Sequence, residues 1–438
     1  MTSGRARRGP APPAPTSPTV VSLGPMPPEP TGIATYHRAV LDGLTRIGFD
    51  LPVEPVWPVR EQDLPKLADH RLGIYHLGNN IAFHRDIYRL VWERPGVAVL
   101  HDLALDDFVR GLQSLGDPLG FVAIREALDA RELLSMPEAT ENPPLRIPWV
   151  AAVARRARGI VVHAPFARAY LEDIGCRTPI FVVPHPPVES EAAIAGARPT
   201  GERLRAAVRA AGARTLVVAA GDVNEAKQLE PLLAAMAALP NDVHLVVAGR
   251  TVDTYDLTAV AHASGLGARL RIDHDVPDER FLAWLHAADI VTDLRFPHRG
   301  EVSGTLARSM QVGRPTLVSA TGTYLDAPEE TVVTVPPGVP DAAVLAAEIA
   351  TLAEDDARRE RIGATAREHM QRLAATEATA HGYAEAIAET LAVVEDPVSV
   401  TMRRWADALA DIGVGEVELA RGYGLTYARA LETFTHPS

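Results

Sequence analysis

Short apolar runs recur along this chain, each four to six residues long and most rich in β-branched side chains. They fall in two series. The first holds Val20–Leu23, Gly73–Leu77, Val97–Leu100, Gly159–His163 and Ile180–Val183. The second begins at Thr215–Ala219 and continues near Val243–Ala248, Leu270–Asp273, Ile290–Leu294, Pro315–Ser319 and Thr331–Val335. Near-continuous apolar runs, rather than alternating ones, are what strands buried on both faces require. Between them lie stretches with helical periodicity, such as Ile33–Ile47, Leu229–Ala238 and Asp278–Ala288. Strand alternating with helix predicts parallel sheets wrapped by helices, here in two doubly wound halves.

The punctuation between the runs sets the expected domain plan. Residues 1–18 are rich in Pro, Ala, Ser and Thr with Arg5, Arg7 and Arg8. They have no apolar core and read as a disordered tail rather than an export signal. Residues 19–188 form the expected first domain, 189–200 a linker rich in Ala, Gly, Glu and Pro, and 201–394 the second domain. Residues 395–438, with Pro397 breaking the pattern and Met402–Leu431 helical again, read as a helical extension. Leu112–Leu145 reads as helix followed by a loop around Pro137–Pro144.

At 438 residues, two domains are the default. The net charge of −13 argues against nucleic acid as a main partner. The single cysteine, Cys176, excludes an internal disulfide framework and fits a cytoplasmic setting. No apolar run reaches the length of a membrane span. Arg155, Arg156 and Arg158 lie on a helical stretch with Val150, Ala151 and Val153. Three Arg are too few for a membrane-binding face, so membrane-surface contact has only weak support and a solvated helix face is the simpler reading.

The candidate chemistry concentrates after the strand Ile290–Leu294. There a loop carrying Arg295 and Glu301 opens a helix at about Ser303, followed by Gly304 and Thr305. A helix start offers free N–H groups and a positive dipole end, which suit a phosphate. Glu301 beside it is a fixed acceptor for sugar hydroxyls, and the pairing fits a nucleotide-sugar better than a bare phosphate. Gly32, in a Pro-rich loop after the first strand, can let backbone approach a ligand closely. His101, followed by Asp102, ends the strand Val97–Leu100, so it faces the cleft of an open α/β sheet. His76, Asn79 and Asn80 form a second polar cluster at a strand end, and His163 a third that reads as structural.

The segment Arg295–Ser319 resembles the donor-site loop of retaining glycosyltransferases of the GT-B fold, family 4, and the resemblance extends over roughly Val20 to Thr390. It implies two Rossmann-like domains facing across a cleft. It further implies transfer of a hexose-type sugar from a nucleoside-diphosphate sugar to a hydroxyl acceptor, without a bound metal or other cofactor. The family pattern has two Glu separated by seven residues. Glu301 matches the first, and Ser309 stands at the second, which normally holds the ribose. After the strand Thr215–Ala219, Lys227 matches a diphosphate-binding Lys, whereas Asp222 replaces the family's basic residue. Arg295 is the expected source of the missing charge. The resemblance further places Gly32 at the diphosphate and acceptor, and His101 at the transferred sugar. In that mechanism the acceptor attacks from the leaving-group side and a phosphate oxygen takes its proton, so no protein general base is required. Asp273 and Asp275 spell a D-x-D, but they sit in an ordinary loop and are not expected to hold metal. A GT-B nucleotide-sugar-binding or regulatory protein with impaired catalysis is the alternative, and a GT-B phosphorylase or epimerase is a third reading.

Overall fold

A computed structural model describes residues 20–29, 31–60, 70–252 and 254–395. The expected tail at 1–18 and nearly all of the expected extension at 395–438 lie outside the described residues.

Six parallel strands form the first sheet: β1 (Val20–Leu23), β2 (Val53–Val56), β3 (Leu72–Leu77), β4 (Val97–Leu100), β5 (Gly159–Val162) and β6 (Ile180–Val182). Their order is β2-β1-β3-β4-β5-β6. Six more form the second: β7 (Thr215–Ala220), β8 (Val243–Gly249), β9 (Leu270–His274), β10 (Ile290–Asp293), β11 (Thr316–Ser319) and β12 (Val333–Val335), in the order β12-β11-β10-β7-β8-β9. Every pairing is parallel. The central strands are buried along their whole length, which is why they read as apolar runs. Each sheet therefore belongs to a Rossmann-like α/β domain, in the two-domain plan expected from the sequence.

Three local expectations need correction. The strand β2 has no counterpart in the sequence reading. It is an edge strand, Val-Glu-Pro-Val, with Glu54 and Pro55 exposed, so its pattern carries little apolar signal. The expected linker 189–200 is mostly helix, within Glu191–Ala210. Ser190 caps that helix, its Oγ accepting from Ala193 N at 3.1 Å, and Ile194, Ala197, Gly201 and Val208 form its buried face. A Cβ on Gly201 would lie 2.5 Å from His286 Cβ, so this glycine serves close helix packing rather than flexibility. The stretch after Leu112 holds a further helix, Pro118–Arg131, and two short helical turns at Pro137–Thr140 and Pro143–Leu145.

Strand order fixes where ligands can sit. In each sheet the chain runs to opposite sides from one pair of neighbours: β1 and β3 in the first, β7 and β10 in the second. Crevices open at the carboxyl ends of such pairs. The loop carrying Gly32 follows β1, and Asn79 follows β3. Gly221 follows β7, and Asp293 ends β10. Among the described residues, no helix is long and apolar enough to cross a membrane.

Candidate functional site

A cavity of about 850 Å³ lies between the two crevices. The first domain lines it with Gly32, Asn79, Asn80, His101, Asp102 and His163, among others, and the second with Asp222, Arg250, Arg299, Glu301, Gly304 and Arg308. Gly32, His101, Glu301 and Gly304, far apart in sequence, are thus brought to one space. Lys227, Arg295, Ser303 and Thr305 do not line it; they lie behind its second-domain wall.

Asp293 is the hub of that wall. It is fully buried at the end of β10. Lys227 Nζ donates to its Oδ1 at 2.5 Å, Tyr324 OH to its Oδ2 at 2.9 Å, and Ser303 Oγ also to Oδ2. Burial pushes the Asp293 carboxyl up, but Lys227 and Arg295 together with these bonds hold it below the ordinary carboxylate range. Lys227 is correspondingly committed: burial lowers its ammonium against the pull of Asp293, and it also donates to Ala220 O at 3.3 Å. Gly221, at φ +110°, lets the β7 loop pass over this pair. A Cβ there would lie 2.6 Å from Thr305 Oγ1 and 3.1 Å from Lys227 Nζ.

The helix Gly304–Val312 begins on this wall. Ser303 is its cap, with Oγ accepting from Leu306 N at 3.2 Å. Ser303 thereby ties the helix start to Asp293 and Lys227. Ser309 points the other way: fully buried, its Oγ lies 2.6 Å from Thr316 Oγ1.

Glu301 is held from two sides. Arg295 Nη1 lies 3.0 Å from Oε1, and Arg299 N donates to Oε2 at 2.6 Å. Burial raises the Glu301 carboxyl, yet Arg295 and the backbone bonds keep it below its ordinary value. Burial likewise opposes the Arg295 charge, and Glu301, Tyr324 and Asp293 more than restore it. The guanidinium read as a partner for the diphosphate is paired through Nη1 with Glu301, and its Nε is buried without a partner. The cations that do face the cavity were missed. Arg250, at the end of β8, pairs with Asp222 at 2.7 Å. Arg308 pairs with Glu189 at 2.6 Å, and Arg299 sits 3.3 Å from both Asp106 and Asp107.

The loop before Glu301 also fastens the domains. Leu103 N and Ala104 N donate to Arg299 O at 2.8 and 3.0 Å, and Asn142 exchanges two hydrogen bonds with the His298 backbone. Gly300, at φ +76°, permits the approach, since a Cβ would meet Leu103 at 2.6 Å.

On the opposite wall, His101 belongs to a packed set of imidazoles. His101 Nε2 is 3.1 Å from His76 Nδ1, and Tyr36 sets its ring edge-on to His101 at 4.8 Å. Burial drives His101 and His76 well below the usual imidazole range. Asp102 behaves oppositely. Burial and the nearby Glu301 raise its carboxyl to about 7, although Asn79 N donates to Oδ2 at 2.9 Å.

Elsewhere, Asp273 accepts from Arg280 Nε and Trp284 Nε1, both at 2.6 Å. The basic stretch has internal partners too: Arg155 pairs with Glu126, and Arg156 donates to Trp92 O.

Comparison with known proteins narrows what this site is. Residues 200–369 match the family described as glycosyl transferases group 1. That region holds the whole second-domain wall, and it spans less than half of the chain. The D-inositol 3-phosphate glycosyltransferase of Xylanimonas cellulosilytica is 32% identical over 170 residues. The alignment covers 38% of this chain, which spans only 40% of that relative's length. Among solved structures, sucrose-phosphate synthase from Thermosynechococcus elongatus superposes with a TM-score of 0.59 at 17% identity, covering 85% of this chain and 99% of that one. Anabaena HepE in complex with UDP and glucose does so at 0.57 and 16%, with the same coverage. At such identities the likeness is one of fold: two parallel-sheet α/β domains in the GT-B arrangement.

Proposed function

We propose that this protein is a retaining glycosyltransferase that moves a hexose-type sugar from a nucleoside diphosphate to a hydroxyl acceptor. The observation that carries the reading is the placement of Glu301 and the start of the helix Gly304–Val312 on one wall of the cavity, with Gly32 and His101 on the other. The diphosphate sits at the helix start, where unpaired N–H groups and the dipole favour negative charge. Glu301 accepts sugar hydroxyls and fixes the ring, and neutral His101 lines its other face. The bond from the anomeric carbon to the diphosphate oxygen breaks, and a bond from the acceptor oxygen to that carbon forms on the same face. The acceptor's proton passes to a phosphate oxygen of the leaving group. Preorganised donors at that group stabilise the charge that develops there.

Lys227 and Arg295 act indirectly in this account. Lys227 fixes the helix start through Asp293 and Ser303, and Arg295 fixes Glu301. The reading invokes no metal, and Asp273 of the D-x-D already accepts through Oδ2 from Arg280 and Trp284. A binding protein with impaired catalysis is the second reading. It is favoured by Ser309, which is turned to Thr316 and leaves the ribose without the second carboxylate.

Thermal shift of the purified chain against UDP, GDP, ADP and dTDP, followed by release of diphosphate from the matching sugars, tests the proposal. One diphosphate should stabilise the protein and its sugar should turn over. Binding without turnover would favour the second reading, and no binding at all would remove both.

A further inference from the structure

Resting on that reading, a diphosphate at the helix start calls for a side-chain cation beside it, and three arginines line the cavity: Arg250, Arg299 and Arg308. Two of them are tied down. Arg308 is 20% exposed and pairs at 2.6 Å with Glu189, itself 13% exposed, while its guanidinium lies over the Phe281 ring. Arg299 reaches to Asp106 and Asp107 of the first domain, each at 3.3 Å. Arg250 differs. It is 54% exposed, and Asp222, its one side-chain partner among the described residues, is 53% exposed. An ion pair this open to water holds its members weakly.

The backbone brings Arg250 towards the helix start. The segments after β7 and β8 stay paired past the strand ends: Gly221 N donates to Ala248 O at 3.1 Å, Val223 N to Arg250 O at 2.7 Å and Val252 N to Val223 O at 3.1 Å. Gly249 permits this approach, since a Cβ there would collide with Gly221 O. The Gly221 turn in turn touches Thr305, in the first turn of the helix Gly304–Val312. The helix start, the Gly221 turn and Gly249–Arg250 are thus successive neighbours, and both Gly304 and Arg250 open onto the cavity.

Asp222 also lines the cavity, directly after Gly221. Its carboxylate and a phosphate compete for the same guanidinium, because both accept the planar fork of an arginine. A diphosphate carries more charge than one carboxylate, and it takes hydrogen bonds from the helix start as well. It therefore wins the guanidinium when it enters, and Asp222 regains it when the diphosphate leaves.

We propose that Arg250 is the side-chain cation that binds the nucleoside diphosphate, and that Asp222 holds its guanidinium until the diphosphate displaces it. The test is calorimetric titration of the full chain and three variants with whichever of UDP, GDP, ADP and dTDP raises its melting temperature, and with the matching nucleoside as control. Both side chains are more than half exposed, so the substitutions leave the core untouched. Arg250→Ala should weaken diphosphate binding by about tenfold or more, the scale of a charge-assisted hydrogen bond, and leave the nucleoside unchanged. Asp222→Asn should tighten diphosphate binding by about threefold, since it frees the guanidinium from an exposed ion pair. In the double variant Arg250→Ala/Asp222→Asn that gain should vanish, because Asp222 acts through Arg250. Unchanged diphosphate affinity in Arg250→Ala would overturn the inference. So would the absence of a gain in Asp222→Asn, or a gain that persists without Arg250 and makes Asp222 a plain repulsive charge. If none of the four diphosphates binds the wild-type chain, the glycosyltransferase reading fails and takes this inference with it, whereas the variant outcomes overturn the inference alone.

Discussion

Arg295 Nη1 lies 3.0 Å from Glu301 Oε1, so the cation expected at the diphosphate is the partner of the carboxylate expected at the sugar. Arg295→Ala should therefore resemble a loss of sugar positioning rather than a loss of anion binding. Turnover is expected to fall by roughly 10-fold or more, while nucleoside diphosphate affinity stays within about threefold. Steady-state kinetics beside calorimetric titration separate the two. A large loss of diphosphate affinity with unchanged turnover would place Arg295 on the phosphates after all.

The Lys227–Asp293 pair predicts a stability effect. Lys227→Ala leaves a buried carboxylate short of its counter-ion, which costs about 3–5 kcal/mol. Combining it with Asp293→Asn should recover part of that loss, read by urea denaturation. Asp293 has a depressed folded pKa, so its contribution is complete above the unfolded carboxylate value and is lost as pH falls through the folded one. The gap between wild type and Lys227→Ala should accordingly narrow only in acid. A constant gap down to about pH 2 would contradict this.

Asp102 predicts the reverse slope. Its carboxyl is raised to about 7, so the folded state holds a proton that the unfolded chain has already released. Wild-type stability should decline as pH rises from the unfolded value to about 7, then level off. Asp102→Asn keeps an acceptor for Asn79 N and removes the titration. Its stability should equal wild type near pH 4 and exceed it at pH 8, in denaturation series at both. A parallel decline in the variant would assign the slope to another group.

The D-x-D is the simplest case. Asp273 receives two hydrogen bonds from the helix Asp278–Ala287, through Arg280 and Trp284. Asp273→Ala should lower thermal stability, and EDTA should leave transfer intact. Activity lost to EDTA and restored by Mn²⁺ or Mg²⁺ would reopen Asp273 and Asp275 as ligands.

Much of the fold was legible because buried parallel strands are continuous apolar runs. The start of β4, the helix Leu229–Ala238 and the cap at Ser303 all fall where the pattern puts them. The edge strand β2 was not, since half of its residues face solvent. Pro199 looked like a linker residue because composition does not distinguish a proline in a loop from one inside a helix. At the site, Gly32, His101, Glu301 and Gly304 were visible as polar or small residues at strand ends. Partners were not. That Arg295 would turn to Glu301, Arg250 to Asp222 and Ser309 to Thr316 depends on side-chain directions that no spacing encodes. Asp293 had a signal, an acid closing an apolar strand, and it went unused.

The most direct test of the account is Glu301→Gln, which keeps the size of the side chain and its acceptor oxygen but removes the charge. The substitution should lower transfer from the nucleoside-diphosphate sugar by about 10²-fold or more, because a neutral amide loses the ion pair with Arg295 that fixes the side chain against the reacting ring. Affinity for the nucleoside diphosphate itself, held at the helix start, should change little. Turnover equal to wild type, at matched donor saturation, would contradict the account by removing Glu301 from the reacting sugar.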